Sequence, residues 1–299
     1  MMITVRIPCS TSNIGPGFDT LGLALNRYLV VEAVPSAAAV PVITVVGNGR
    51  DHIATDETNL VYRSMRTFAE AAGMTLPTVD LCLKNNVPAF GGLGSSGAAI
   101  AGGVFAANEL LKTGCTADEL LDVAVKIEGH PDNVSAALKG GFTINCFENG
   151  KLHCRSVKIT APLSVIACSP HFQVLTSEAR RILPASVTLR EAVTNIENVA
   201  SLVAAMMTGD MDALRYVTGD CLHERYRATL IPGYDDVKRA ALEAGALSCN
   251  ISGAGPTVFC FATSNEEAIG KAMSAAFLAH GKGSTVELMS VENDGAVSI

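Results

Sequence analysis

The segment Pro88-Ala-Phe-Gly-Gly-Leu-Gly-Ser-Ser-Gly-Ala98 constrains this chain more than any other. Before it, Val79, Leu81 and Leu83 alternate with other residues, which predicts a half-buried strand over 79–84. After it, an Ala-rich stretch predicts a helix from about Ser96 to Lys112, ended by Gly114. The chain must therefore pass from sheet to helix through Gly91, Gly92, Gly94 and Gly97, with the hydroxyls of Ser95 and Ser96 between them. Glycine lets a backbone approach a ligand closely. The first turn of a helix offers unpaired N–H groups and a positive dipole end, a setting suited to phosphate. A tight strand–helix turn packed on a neighbour is the plain alternative, and the loop alone leaves both open. Gly92 to Gly97 spells G-x-G-x-x-G, but seven residues separate it from the strand. Asp118 and Glu119, at the distance of a ribose-binding acid, open a helix instead. Neither a GxxxxGK[ST] phosphate loop nor a GxSxG nucleophile elbow occurs.

Around this loop the first half reads as strands, then helices, then strands. Residues 3–7, 28–34 and 42–46 are β-rich, and 59–72 has helical spacing that stops at Gly73. Thr116 and Glu119 form a capping box for a helix ending at Gly129–Pro131, and 142–146 with 153–159 predict a hairpin. From Ala161-Pro162 the pattern restarts: a strand at 164–168, helices over 188–207, 210–223 and 234–245, and strands at 247–251 and 257–262 around a Ser-Gly-Ala-Gly-Pro turn. A helix over 265–280 and a strand over 284–291 follow. Grouped strands and helices without strict βαβ alternation predict an α+β fold in two domains, 1–160 and 161–299.

With 299 residues and 48% hydrophobic side chains, the chain can bury a substantial core. Its 22 Lys+Arg against 29 Asp+Glu give a net charge of −7, which argues against broad binding to nucleic acid or anionic membranes. Nine cysteines lie scattered with no CxxC pair, and His153-Cys154 has no second ligand pair nearby. Reduced thiols in a cytoplasmic protein are the simple reading. The N-terminal MMITVRIPCSTSN lacks the apolar core of a signal peptide. The longest uncharged run, Asn85 to Asn108, contains Pro88 and six glycines and reads poorly as a membrane span.

Three further signals accompany the loop. Leu121, Ala124, Val125 and Glu128 share one helix face, so the carboxylate of Glu128 points inward among apolar groups. A buried acid needs a partner, either an arginine or backbone cap, or Mg²⁺ shared with substrate phosphates; spacing leaves both open. Ser10-Thr-Ser-Asn-Ile-Gly-Pro-Gly-Phe-Asp19 is a polar loop that can hold a small ligand or simply turn the chain. Ser252-Gly-Ala-Gly-Pro256 reads as a glycine turn between strands.

Taken in order, these loops resemble the GHMP kinase superfamily of galacto-, homoserine, mevalonate and phosphomevalonate kinases. PAFGGLGSSGA at 88–98 is similar to its nucleotide loop, and ISGAGPTVF at 251–259 to its third motif. STSNIGPGFD at 10–19, IEGHPDN at 127–133, TSEAR at 176–180 and HERYRATLIPG at 223–233 are similar to the homoserine kinase branch. One departure is Gly97, where the superfamily usually has Ala.

The resemblance implies two domains, one like the second domain of ribosomal protein S5 and one ferredoxin-like, with ATP on the Gly-rich loop. It implies transfer of the ATP γ-phosphoryl to the side-chain hydroxyl of L-homoserine, on the route to threonine. Residues 88–98 (Pro88, Ala89, Phe90, Gly91, Gly92, Leu93, Gly94, Ser95, Ser96, Gly97 and Ala98) would then bind nucleotide, with Asn59 contacting adenine. Ser96 and Glu128 would hold Mg²⁺. Asn13, Asp19, His130 and Asn133 would face homoserine, and Arg180 and Arg227 would bind it. The chemistry agrees: arginine grips a carboxylate bidentately, and Asp19 can pair an ammonium. Arg181 and Arg225 are close competitors for the arginine roles. Where relatives such as mevalonate kinase use Asp and Lys near the accepting hydroxyl, this chain has Asn13 and Asn133. The expected mechanism therefore uses Glu128 through the metal and Asn133 with Asp19 to orient the hydroxyl, without a strong carboxylate base. A homodimer is the assembly the resemblance implies. A kinase for another small alcohol, a silent ligand sensor and a structural domain are the rival readings.

Overall fold

The computed structural model describes residues 2–88 and 91–299, so the expectations for Ala89 and Phe90 lie outside the described residues. Two sheets organise the chain. The first contains β1 (Ile3–Ser12), β2 (Leu21–Pro35), β3 (Ile43–Gly47), β4 (Val79–Asn85), β5 (Phe142–Glu148), β6 (Lys151–Val157) and β11 (Val297–Ser298). Its main order is β11-β1-β2-β4-β3, and β5 pairs with the start of β2 and with β6. Only the β3–β4 pair is parallel among its described ladders. Helices α1 (Leu60–Ala71), α2 (Ser95–Leu111), α3 (Ala117–Glu128) and α4 (Asp132–Lys139) complete this body.

α2 runs through the middle of the core, which explains its composition. Ala98, Ile100, Ala101, Val104, Ala106 and Ala107 are all buried, so the helix is apolar around most of its girth. A Cβ at Gly103 would lie 2.3 Å from the Val61 carbonyl oxygen, so α1 and α2 can meet only over a glycine. α3 has both halves of the expected capping box, with Thr116 and Glu119 each bonding the other's backbone N–H, and it stops at Gly129 in the left-handed region.

The second sheet has the order β10-β7-β9-β8, built from β7 (Ser164–Pro170), β8 (Ser248–Ile251), β9 (Val258–Ala262) and β10 (Ser284–Ser290). All its described ladders are antiparallel. Helices α9 (Tyr234–Glu243) and α10 (Glu266–Ala279) bury Val237, Ile269, Met273 and Phe277 against it. The remaining helices are α5 (Thr176–Arg181), α6 (Leu189–Thr208), α7 (Leu214–Val217) and α8 (Glu224–Arg227).

Five segments depart from the sequence reading. The helix expected over 210–223 is broken: a short 3₁₀ turn and α7 end at Thr218, and α8 begins only at Glu224. The cause is Asp220, whose carboxylate accepts the N–H groups of Leu222, His223 and Glu224 and caps a new helix. Strand β1 continues through Ser12, so the polar Ser10-Thr-Ser stretch is sheet rather than loop. Finally, α4, α5 and β11 form where no element was expected. β11 brings the chain back from the second body to the first sheet, pairing Val5 with Ser298 and Arg6 with Val297.

Candidate active site

The Gly-rich segment enters α2 through backbone conformations that favour glycine: Gly91, Gly92 and Gly94 have φ of 92°, 87° and 66°. A Cβ at Gly94 would lie 2.2 Å from Ser10 Oγ. The first i→i−4 bond of α2 runs from Ala98 N–H to Gly94 O at 2.8 Å, so the N–H groups of Ser95, Ser96 and Gly97 precede the helical ladder. These residues line a cleft of about 360 Å³.

Across the cleft, Ser96 Oγ donates to Glu128 Oε2 at 2.8 Å. The Glu128 side chain is only 12% exposed at the last turn of α3, as its place on the apolar face predicts. Its other oxygen lies 3.9 Å from His130 Nε2. His130 Nδ1 is 2.9 Å from Asp132 Oδ1, and because a carboxylate only accepts, the ring must donate there. That bond raises the His130 pKa above its ordinary 6.5, with burial opposing and Asp132 and Glu128 adding attraction.

The opposite wall carries the two arginines. Arg180 makes a two-pronged ion pair with Asp19, Nη1 to Oδ2 at 2.9 Å and Nη2 to Oδ1 at 2.8 Å. Both side chains are partly open to solvent, at 37% and 34%. The pair lifts the Arg180 pKa. Arg227 is different. It is 2% exposed and has no carboxylate within ion-pair distance among the described residues. It donates to the carbonyls of Gly253 (2.8 Å) and Ala179 (3.3 Å). His223 Nε2 donates to Gly15 O at 2.9 Å, leaving Nδ1 to accept from Arg227 Nη1 at 3.4 Å. Burial, with Arg180 nearby, pushes the Arg227 pKa down. Both guanidinium groups stand over the Phe18 ring, at 5.7 and 5.1 Å. A buried cation without a carboxylate partner, lining a cleft, marks a place for an anion.

Asn133 and Asn13 are already engaged. Asn133 accepts from Ser10 Oγ at 2.9 Å and donates to Ser12 Oγ at 3.1 Å, so both ends of its amide are held by β1. Asn13 accepts from the Asp19 N–H at 3.0 Å and donates to Gly253 O at 3.0 Å, tying the first motif to the third. A Cβ at Gly97 would lie 2.8 Å from Asn133 Cβ, so the glycine at this position makes room for Asn133.

Ser95 and Ser96 also line an adjoining apolar pocket of about 280 Å³, walled by Leu29, Ile53, Val61 and Leu83. Asn59 sits on its edge, but its side chain caps α1 through the N–H groups of Val61 and Tyr62 and donates to Ala54 O. Its observed role is to fix the 54–59 turn that shapes the pocket.

The cleft thus gathers Asn13, Asp19, Gly91, Gly92, Gly94, Ser95, Ser96, Gly97, Glu128, His130, Asn133, Arg180 and Arg227. Pro88, Leu93 and Ala98 are buried behind it as packing. Of the competitors, Arg225 pairs with Glu191 and stands over Tyr226, while Arg181 is exposed. Sequence reasoning gave Asp132 no role and took Ser10, Ser12 and Phe18 only as members of a polar loop. An acid two residues after His130 in the IEGHPDN segment was the signal available for Asp132, and the polarity of the 10–19 segment was that for the serines.

Residues 59–141 match the GHMP kinases N terminal domain and residues 190–279 the GHMP kinases C terminal domain. The chain belongs to the GHMP kinase family, and within it to the homoserine kinases. It is 40% identical to a homoserine kinase of Desulfitobacterium hafniense over 299 residues, and 39% identical to one of Moorella thermoacetica over 298, covering 100% of both chains in each case. The crystal structure of homoserine kinase from Cytophaga hutchinsonii is similar with a TM-score of 0.89 and 35% identity, covering 100% of this chain and 97% of that one. No helix among the described residues is long and apolar enough to cross a membrane.

Proposed function

We propose that this protein transfers the γ-phosphoryl group of ATP to the side-chain hydroxyl of L-homoserine, giving O-phospho-L-homoserine and ADP. The observation that carries the reading is the single cleft joining a helix N-terminus suited to phosphate to the Asp19–Arg180–Arg227 cluster suited to a zwitterion. The adenine lies in the apolar pocket beyond Ser95 and Ser96, and the phosphates lie along residues 91–97. Arg227 and Arg180 take the amino acid's carboxylate, and Asp19 takes its ammonium.

Ser96 and Glu128 suit Mg²⁺, because both are hard oxygen donors and stand 2.8 Å apart. No cluster of three or more His, Cys, Asp or Glu among the described residues converges as a metal site, so substrate phosphate oxygens and water would complete the set. Bound there, the ion would neutralise phosphate charge. Asn133, held at both ends by Ser10 and Ser12, presents a fixed amide wall to the hydroxyl. It cannot take a proton as a carboxylate would. The hydroxyl proton therefore passes to an oxygen of the phosphoryl group as the substrate oxygen bonds to the γ-phosphorus and the bond to ADP breaks, and rate comes from positioning and electrostatics. The reading includes a cytoplasmic location, and a homodimer that light scattering in solution tests.

The test is ADP release against a panel of homoserine, serine, threonine, mevalonate and a hexose. Homoserine should lead by a wide margin. Preference for mevalonate or the hexose would overturn the substrate.

A further inference from the structure

Four consecutive carbonyls in the Gly-rich segment are each held by a different donor. Thr257 Oγ1 donates to Gly91 O and Ser252 Oγ to Gly92 O, both at 2.5 Å. Ser10 N–H donates to Leu93 O at 3.3 Å, and Ala98 N–H to Gly94 O at 2.8 Å. A hydroxyl has one proton to give. Since Thr257 and Ser252 give theirs to carbonyls, Ser169 must donate to Thr257 (2.7 Å) and Thr11 to Ser252 (2.8 Å). Two relays with fixed direction result, Ser169→Thr257→Gly91 and Thr11→Ser252→Gly92. All four hydroxyl-bearing residues are buried. The fit is tight: a Cβ at Gly92 would lie 2.8 Å from Ser252 O and 3.1 Å from Thr257 Cβ.

In a trans peptide the C=O of one residue and the N–H of the next point in opposite directions. Holding the carbonyls of residues 91–94 on the protein side therefore turns the N–H groups of residues 92–95 the other way. We propose that Ser252 and Thr257 are positioning residues for nucleotide binding: hydroxyls of the second body aim the backbone N–H groups of the first body's loop at the ATP phosphates. The proposal rests on the reading of residues 91–97 as the phosphate site.

Calorimetric Kd for ATP and for homoserine, with steady-state KM for each, separates the two. Wild-type protein that neither binds ATP nor releases ADP would refute the site reading itself. Given a working wild type, Thr257→Val keeps the shape and removes the hydroxyl. It should weaken ATP roughly three- to tenfold and leave homoserine Kd unchanged within about twofold. Thr257→Ser should restore ATP affinity, and Ser252→Ala should repeat the loss, which covers a failure of the Val variant to fold. Unchanged ATP affinity in the Val and Ala variants, failure of Ser to rescue, or equal losses for both ligands would overturn the proposal.

Discussion

Replacing Asp19 with Asn separates the two charges that the proposed substrate carries. Asn tolerates the positive φ of 52° at this position and retains the N–H that bonds Asn13, so the loop should keep its shape. In the wild type, any carboxylate reaching Arg180 must break the Asp19–Arg180 pair. Homoserine compensates by offering an ammonium to Asp19, whereas γ-hydroxybutyrate, which lacks the amino group, leaves Asp19 unpaired. An exposed pair of this kind is worth ~0–1 kcal/mol, so freeing Arg180 should tighten the deaminated analogue up to about fivefold. Losing a charged hydrogen bond to the ammonium costs about 1.5–3 kcal/mol, so homoserine should weaken roughly ten- to a hundredfold. Selectivity between the two should thus fall by about two powers of ten. Initial rates of ADP release over a concentration series of each substrate measure this directly. Equal losses for both would refute the assignment of Asp19 to the amino group and leave it as scaffold or as a contact of the reacting hydroxyl.

Three other outcomes are expected. Glu128→Gln retains a hydrogen-bond partner for Ser96 but loses the metal's charge, so kcat should drop roughly a hundredfold with the fold intact, read by ADP release across a Mg²⁺ titration. Arg227→Lys keeps a buried cation but not its planar fork, and should raise the homoserine KM about tenfold while the ATP KM stays put. The raised pKa of His130 means that its pairing with Asp132 stabilises the fold fully below pH 6.5 and fades as pH rises through the raised value. Melting curves of wild type and His130→Gln should therefore converge toward alkaline pH, and a constant gap would refute the linkage.

Local signals in the sequence located much of the cleft. Thr116 with Glu119 marks a helix start by reciprocal capping, and that cap forms. Glu128 on an apolar face could only point inward. Other features depend on partners distant in the chain. α4 is eight residues long, begins behind Pro131 and buries Asp132, Asn133 and Ser135, so it lacks the polar face by which a surface helix is recognised. Asn59, which the resemblance makes an adenine contact, caps α1 through Val61 and Tyr62, and that use shows only in the folded chain. The hydroxyls of Ser252 and Thr257 acquire meaning only opposite Gly91 and Gly92.

The return of residues 291–299 to the first sheet bears on the order in which the chain can fold. Glu292 exchanges backbone bonds with Ala24 and Gly141, Asn293 bonds both backbone groups of Ile159, and Ile299 N–H reaches Thr4 O. A Cβ on Gly295 would lie 2.1 Å from Leu138 O, so the segment is threaded against the first body without slack. A ribosome delivers β11 only long after β1. Until then the outer edge of β1 stays open, and its pairing must wait for contacts of very high sequence separation, the slow kind. The first sheet therefore gains this edge strand only after every strand of the second sheet has been made. Gly91 and Gly92 wait likewise for Thr257 and Ser252, so the loop gains these partners only once that part of the second body has been made.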